Sequence, residues 1–142
     1  RFGVIEYDGK DEQTLAESIE LVKQMRQGGL DLLNVSVNFV IPEVQIPWGT
    51  SAFLAPIAQR VAREAGLPVA SSWGIDDPQV AERAVAEQQM SLVMIGRAML
   101  ANPHYPYVLA QALKVERPDW TLPAQYAHWL ERYRGAGKKA VQ

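Results

Sequence analysis

The sequence predicts an α/β domain built on a parallel sheet. Three observations carry that expectation. Strand-like and helix-like segments alternate four times in units of about 30 residues, a pattern that argues for parallel βαβ units. The segment from Asp11 to Gln27 places Leu15, Ile19, Val22 and Met25 at helical spacing, one apolar face of an amphipathic helix. Near position 92 the chain carries a short apolar run, Leu92 to Ile95, of the length expected for a fully buried strand. Four such units suit either half of an eight-stranded barrel or a small open doubly wound sheet.

Taken in order, Arg1 to Tyr7 reads as a strand ending in the turn residues Asp8-Gly9, and Gly28-Gly29 stops the helix that follows. Asp31 to Val37 is the next strand, and a proline-bearing loop from Asn38 to about Thr50 contains Trp48. Helix returns from Phe53 to Ala65, with Pro56 in its first turn, where a missing N–H is tolerated, and Gly66 as its stop. Leu67 to Ser71 is a short strand with Trp73-Gly74 just beyond it. Asp77-Pro78 reads as an N-cap followed by proline at the first helical position, opening a helix that runs to Gln88.

The apolar run Leu92 to Ile95 then breaks at Gly96-Arg97 and passes into helix at Ala98 to Ala101, with further helix from Val108 to Leu113. A glycine at a strand end lets backbone N–H groups approach a ligand, a helix start presents unpaired donors, and Arg97 adds a forked cation. Together they make a phosphate cradle. Residues 1–115 are expected as the four βα units and 116–142 as a C-terminal tail. Trp129, Leu130 and Tyr133 there fall on one side of a short helix, and Gly135 to Gln142 reads as a solvated end.

The composition excludes several classes. With 142 residues, 48% hydrophobic, 21% charged and a net charge of −2, the chain lacks the basic face of a nucleic-acid binder. It has no cysteine, hence no disulfide framework, zinc-thiolate site or thiol nucleophile. No apolar run reaches membrane-spanning length and no signal peptide is visible, so a cytoplasmic location is expected. His104 and His128 are the only histidines and are not expected to bind a metal. Asp76-Asp77 is expected at a helix N-terminus rather than as an acid–base pair, and Glu116-Arg117 and Lys138-Lys139 as solvated charge. The opening at Arg1, without Met and already inside a strand, reads as a piece of a longer protein or a clipped form.

Six stretches together resemble one family. They are Arg1 to Gly9, Gly28 to Val37, Ile46-Pro47-Trp48-Gly49, Pro68 to Gly74, Gly96 to His104, and Trp120 to Tyr133. In order and spacing they resemble the C-terminal half of an Old Yellow Enzyme family flavin reductase, in its xenobiotic reductase branch. The resemblance implies strands five to eight of a TIM (β/α)8 barrel plus a C-terminal helical tail, with FMN as cofactor and NAD(P)H as reductant. It implies reduction of activated alkenes such as enones, and of some nitro compounds, by hydride transfer through flavin N5.

By the family pattern Arg1 lies at the N1/O2 edge of the flavin, where a cation stabilises the charge of the reduced ring. Gly96 and Arg97 hold the phosphate, Trp73 walls the substrate pocket, Gly74 lies close to the cofactor, and Trp129 reaches a neighbouring subunit's active site in a homodimer. The family's carbonyl-gripping donors belong to the N-terminal half, so no catalytic residue is assigned here. The segment Trp73-Gly74-Ile75-Asp76-Asp77 departs from the family by lacking a second glycine. The expected partners are the missing N-terminal half-barrel or a second copy, without which the chain is expected to be inactive. Two rivals stand beside this reading: another phosphate-binding barrel enzyme, for which Glu6 is the one strand-end candidate, and a non-catalytic, self-associating half-barrel.

Overall fold

The computed structural model describes residues 1–38 and 44–133, and the chain divides into two compact units, Arg1–Gly96 and Arg97–Gln142. The first unit holds β1 (Phe2–Ile5), α1 (Asp11–Gln27), β2 (Leu33–Val37), α2 (Ala55–Ala65), β3 (Val69–Ser71), α3 (Pro78–Ala86) and β4 (Leu92–Val93). Its strands form one sheet in the order β1-β2-β3-β4, every neighbouring pair parallel. Crossovers between successive parallel neighbours are right-handed, so a sheet built in one direction gathers its helices on one face.

Burial agrees with that rule. Leu33, Val35 and Val37 of β2 pack in one core with Val4, Ile5 and Val69, with Leu15, Ile19 and Val22 of α1, and with Ala58, Val61 and Ala65 of α2. Ala81 and Ala84 of α3 join the same core. In β1 the register slips between Gly3 and Ile5, which lets the consecutive residues Val4 and Ile5 both bury.

Local signals account for the element ends. Gly66 caps α2 in the left-handed conformation at φ 68°, its N–H bonded to the Ala62 carbonyl. Asp77 caps α3, its Oδ1 accepting from the N–H groups of Gln79 and Val80 at 2.9 and 3.0 Å, with Pro78 at the first helical position. At Tyr7 the backbone turns to φ 59° and ends the first strand, two residues short of the span expected from sequence.

The last strand corrects the sequence reading. Leu92 to Ile95 was expected to be fully buried, but only Leu92–Val93 is strand, with Leu92 54% and Met94 42% exposed. The reason lies in the register. Leu92 pairs with Ala70, and Ala70 with Asn34, so Leu92 falls on the face opposite the helices. Among the described strands β4 also has a neighbour on one side alone.

The second unit holds α4 (Arg97–Ala101), α5 (Tyr105–Ala112), a 3-10 turn at Pro118–Thr121 and α6 (Ala124–Leu130). Arg117, expected as solvated charge, is engaged instead. Its guanidinium lies 4.9 Å from the centre of the Trp120 ring and within 3.5 Å of Asp119 and 3.3 Å of Glu131. Asp119 is buried, and a buried carboxylate requires such a partner. Gly135 to Gln142, with Lys138 and Lys139, lies outside the described residues. No helix among the described residues is long and apolar enough to cross a membrane.

Candidate functional site

The carboxyl ends of parallel strands are where an open or closed α/β sheet places its ligands. In this unit those ends are Glu6-Tyr7, Asn38, Ser72-Trp73-Gly74 and Met94 to Gly96. Within this unit the sheet face opposite α1, α2 and α3, its helix-free face, is small and polar where Gly3 pairs with Ser36 and Asn34 with Ala70. From Leu33 to Asn38 the chain alternates strictly apolar and polar, the mark of a strand with one polar face. That alternation was legible in the sequence and points to Asn34, Ser36 and Asn38, which motif reading passed over.

Arg1 reaches along this face. Its Nε and Nη2 both donate to the Ser36 hydroxyl, at 3.2 and 2.9 Å, although Ser36 belongs to the pair one step further along the sheet than Phe2 and Val35. The guanidinium is thus drawn toward the carboxyl end of the strands. There Asn38 donates from Nδ2 to Glu6 Oε1 at 2.9 Å, tying the ends of β1 and β2. Gly3 is obligatory at this point, because a Cβ would lie 2.8 Å from the Asn38 backbone nitrogen.

Beside this polar row stands an aromatic cluster. Three pairs of rings meet edge-on, Trp48 and Trp73 at 5.0 Å between centres, Trp48 and Phe53 at 6.4 Å, and Tyr7 and Phe53 at 6.0 Å, while Phe53 and Trp73 lie tilted at 6.2 Å. Burial, and secondarily the charge of Asp11, pushes the Tyr7 phenol above its ordinary value.

Two loops are docked to hold the cluster. Ala52 N–H donates to the Gly74 carbonyl at 3.0 Å, and Gln45 N–H to the Tyr7 carbonyl at 2.9 Å. Trp73 and Ala52 adopt positive φ, 75° and 51°, each a strained choice for a residue with a Cβ. Gly74 has φ 62°, and a Cβ there would come 3.1 Å from three atoms of residues 50–52. Its glycine is therefore required by the neighbouring loop.

The remaining expected residues fall at different places. Gly96 ends the first unit just past β4, and a Cβ there would meet nothing within 4 Å. Arg97 is the first residue of α4 and of the second unit. Trp129 lies on α6, 71% exposed, with the His128 ring edge-on at 5.2 Å. Among the described residues no group of histidine and carboxylate side chains is arranged to hold a metal.

Fold and site together define an α/β protein with a polar, arginine-bearing sheet face and an aromatic wall at its strand ends. Residues 1–116 match the sequence profile of the NADH:flavin oxidoreductase / NADH oxidase family. The chain belongs to that family, the Old Yellow Enzyme family of FMN proteins that take NAD(P)H as reductant. It is 33% identical over 111 residues to an NADPH dehydrogenase of Geobacillus thermodenitrificans, covering 76% of this chain and 32% of that protein. It is 29% identical over 132 residues to an NADPH dehydrogenase of Halalkalibacterium halodurans, covering 92% of this chain and 37% of that protein. To an NADH oxidase of Thermoanaerobacter brockii it is 25% identical over 99 residues, 66% of this chain and 15% of that protein. The chain thus spans between 15% and 37% of the length of these relatives.

Proposed function

We propose that the chain is the C-terminal half-barrel, strands five to eight with a helical tail, of an FMN-dependent NAD(P)H oxidoreductase that reduces activated C=C bonds, as in enones, and some nitro compounds. What supports this most is the position of Arg1, a guanidinium fixed by Ser36 on the helix-free sheet face and drawn toward the strand ends. The residues present fit the cofactor. Arg1 offers a fixed cation for the pyrimidine edge, Gly3, Ser36 and Ala70 keep side chains on that face short, and the Gly96 backbone has open space beside it.

Bound FMN supplies hydride transfer between NAD(P)H and the β-carbon of the acceptor. The chain's own residues bind and shape. Arg1 stabilises negative charge at the ring edge, and Gly96 and Arg97 grip the phosphate through backbone N–H and guanidinium donors. Trp73 excludes water and bounds the acceptor on one side, with Gly74 setting the backbone behind it.

The groups that hold the acceptor's carbonyl come from the other half of the barrel. That half covers the face carrying Leu92 and pairs the free edges of β1 and β4, where exposed apolar surface and unpaired strand groups call for a partner. The exposed rings of Tyr126 and Trp129, three residues apart on α6, suit a contact to a second subunit that carries Trp129 to the neighbour's site.

Absorbance spectroscopy with mass analysis of the purified protein tests the reading. A flavin band accompanied by the complementary half, on this or another polypeptide, is expected. Failure of the chain with its complement to take up FMN would sink it and favour a non-catalytic half-barrel.

A further inference from the structure

We infer that Trp48 is a positioning residue for Trp73. Its indole holds the Trp73 ring in place at the strand ends and thereby sets how bulky an acceptor ring the pocket admits. The second half of this statement rests on the reductase reading above, and the first does not.

Trp48 is 60% exposed, yet its ring is not free to wander. It meets Trp73 edge-on at 5.0 Å with the planes at 62°, and Phe53 at 6.4 Å with the planes at 80°. Phe53 packs on the core and on Tyr7, so the cluster is anchored from below. The loop carrying Trp48 is fastened on both sides, by Gln45 to Tyr7 and by Ala52 to Gly74. Trp73 leaves its strand at a positive φ of 75° between the paired Ser71 and the docked Gly74, so its backbone is set and its ring moves chiefly by side-chain rotation. Phe53 and Trp48 both lie against the Trp73 ring, and removing the Trp48 indole takes away the nearer of these two ring contacts.

Two edge-on indoles this close couple electronically, giving a paired band of opposite signs in far-ultraviolet circular dichroism. The first measurement compares the full chain with Trp48→Phe, Trp73→Phe and Trp120→Phe. The band pair is expected in the parent and in Trp120→Phe, and absent from both Trp48→Phe and Trp73→Phe with helix content unchanged. Its survival in Trp48→Phe would overturn the inference.

The second measurement uses flavin-loaded protein and a small and a bulky cyclic enone. Trp48→Ala is expected to raise the kcat/KM ratio of bulky to small enone by roughly tenfold, through KM, with Trp48→Phe restoring part of the parent's preference. An unchanged ratio overturns the specificity role even where the coupling is lost. A protein that keeps the coupled band but takes up no FMN with its complementary half present supports the indole pair and sinks the reductase reading separately.

Discussion

Arg60, in the second turn of α2, closes a two-pronged ion pair with Glu12 at the start of α1, Nη1 to Oε2 at 2.6 Å and Nη2 to Oε1 at 2.8 Å. Its Nε also donates to Glu64 at 2.9 Å. The guanidinium hydrogen bonds, and then its charge, hold the Glu12 carboxyl below its ordinary value of 4.5, and the hydrogen bond from Arg60 does the same at Glu64. Both groups bind a proton less readily folded than unfolded. Their contribution is therefore complete above the ordinary carboxylate range and is lost as pH falls through and below it. Melting temperature followed from neutral to acid pH should show a shallower acid slope in Glu12→Gln than in the parent. High salt should narrow the difference, since both carboxylates are solvent-screened.

Gly74 tests whether the two loops are docked as described. Gly74→Ala places a Cβ 3.1 Å from the backbone of residues 50–52 at a φ of 62°. It should destabilise by about 2 kcal/mol or more, from left-handed strain and crowding together. Gly9→Ala, also at positive φ but with nothing within 4 Å, should lose the strain alone, about 1 kcal/mol. Urea denaturation that ranked the two equally would argue against loop docking.

Two arginines should separate by readout in the flavin-loaded protein. Arg97→Ala is expected to weaken FMN binding by roughly tenfold to a hundredfold, the range for a charged hydrogen bond, with the flavin's reduction potential nearly unchanged. Arg1→Ala is expected to lower that potential, because a cation favouring the reduced, anionic ring is gone. Titration calorimetry and redox titration read the two quantities, and exchanged outcomes would reverse the assignments.

The helix-free face should tolerate polarity where the helix-facing core does not. Leu92→Ser, at a position 54% exposed, should change the chain's own stability by no more than about 0.5 kcal/mol. It should also weaken assembly with the complementary half, seen by size. Val69→Ala, fully buried, should cost about 2 kcal/mol. A large loss at Leu92 in the chain by itself would mean that its face is already covered.

Much of the fold was legible from short-range pattern. The helix over Asp11–Gln27, the caps at Gly66 and Asp77 and the alternation of four strands with helices follow from spacing, turn residues and proline placement within a few residues of each other. The site was less legible. Arg1, Trp73, Gly74, Gly96, Arg97 and Trp129 are proposed through family motifs, while Ser36, Asn38 and Trp48 acquire meaning from what they face. Arg117 read as solvated because its partners are Trp120 and Glu131, which the fold of the second unit brings to it.

By itself the sequence determined the order and kind of elements, their parallel sense and the family, because periodicity, capping and motif spacing are properties of neighbours along the chain. The tertiary structure alone decided which face of the sheet the helices cover and that Leu92 stands on the other. It alone brought Arg1 to Ser36, Arg60 to Glu12 and Trp48 to Trp73. Those contacts join residues 25 to 48 apart. They depend on strand register and loop docking, which no local pattern encodes.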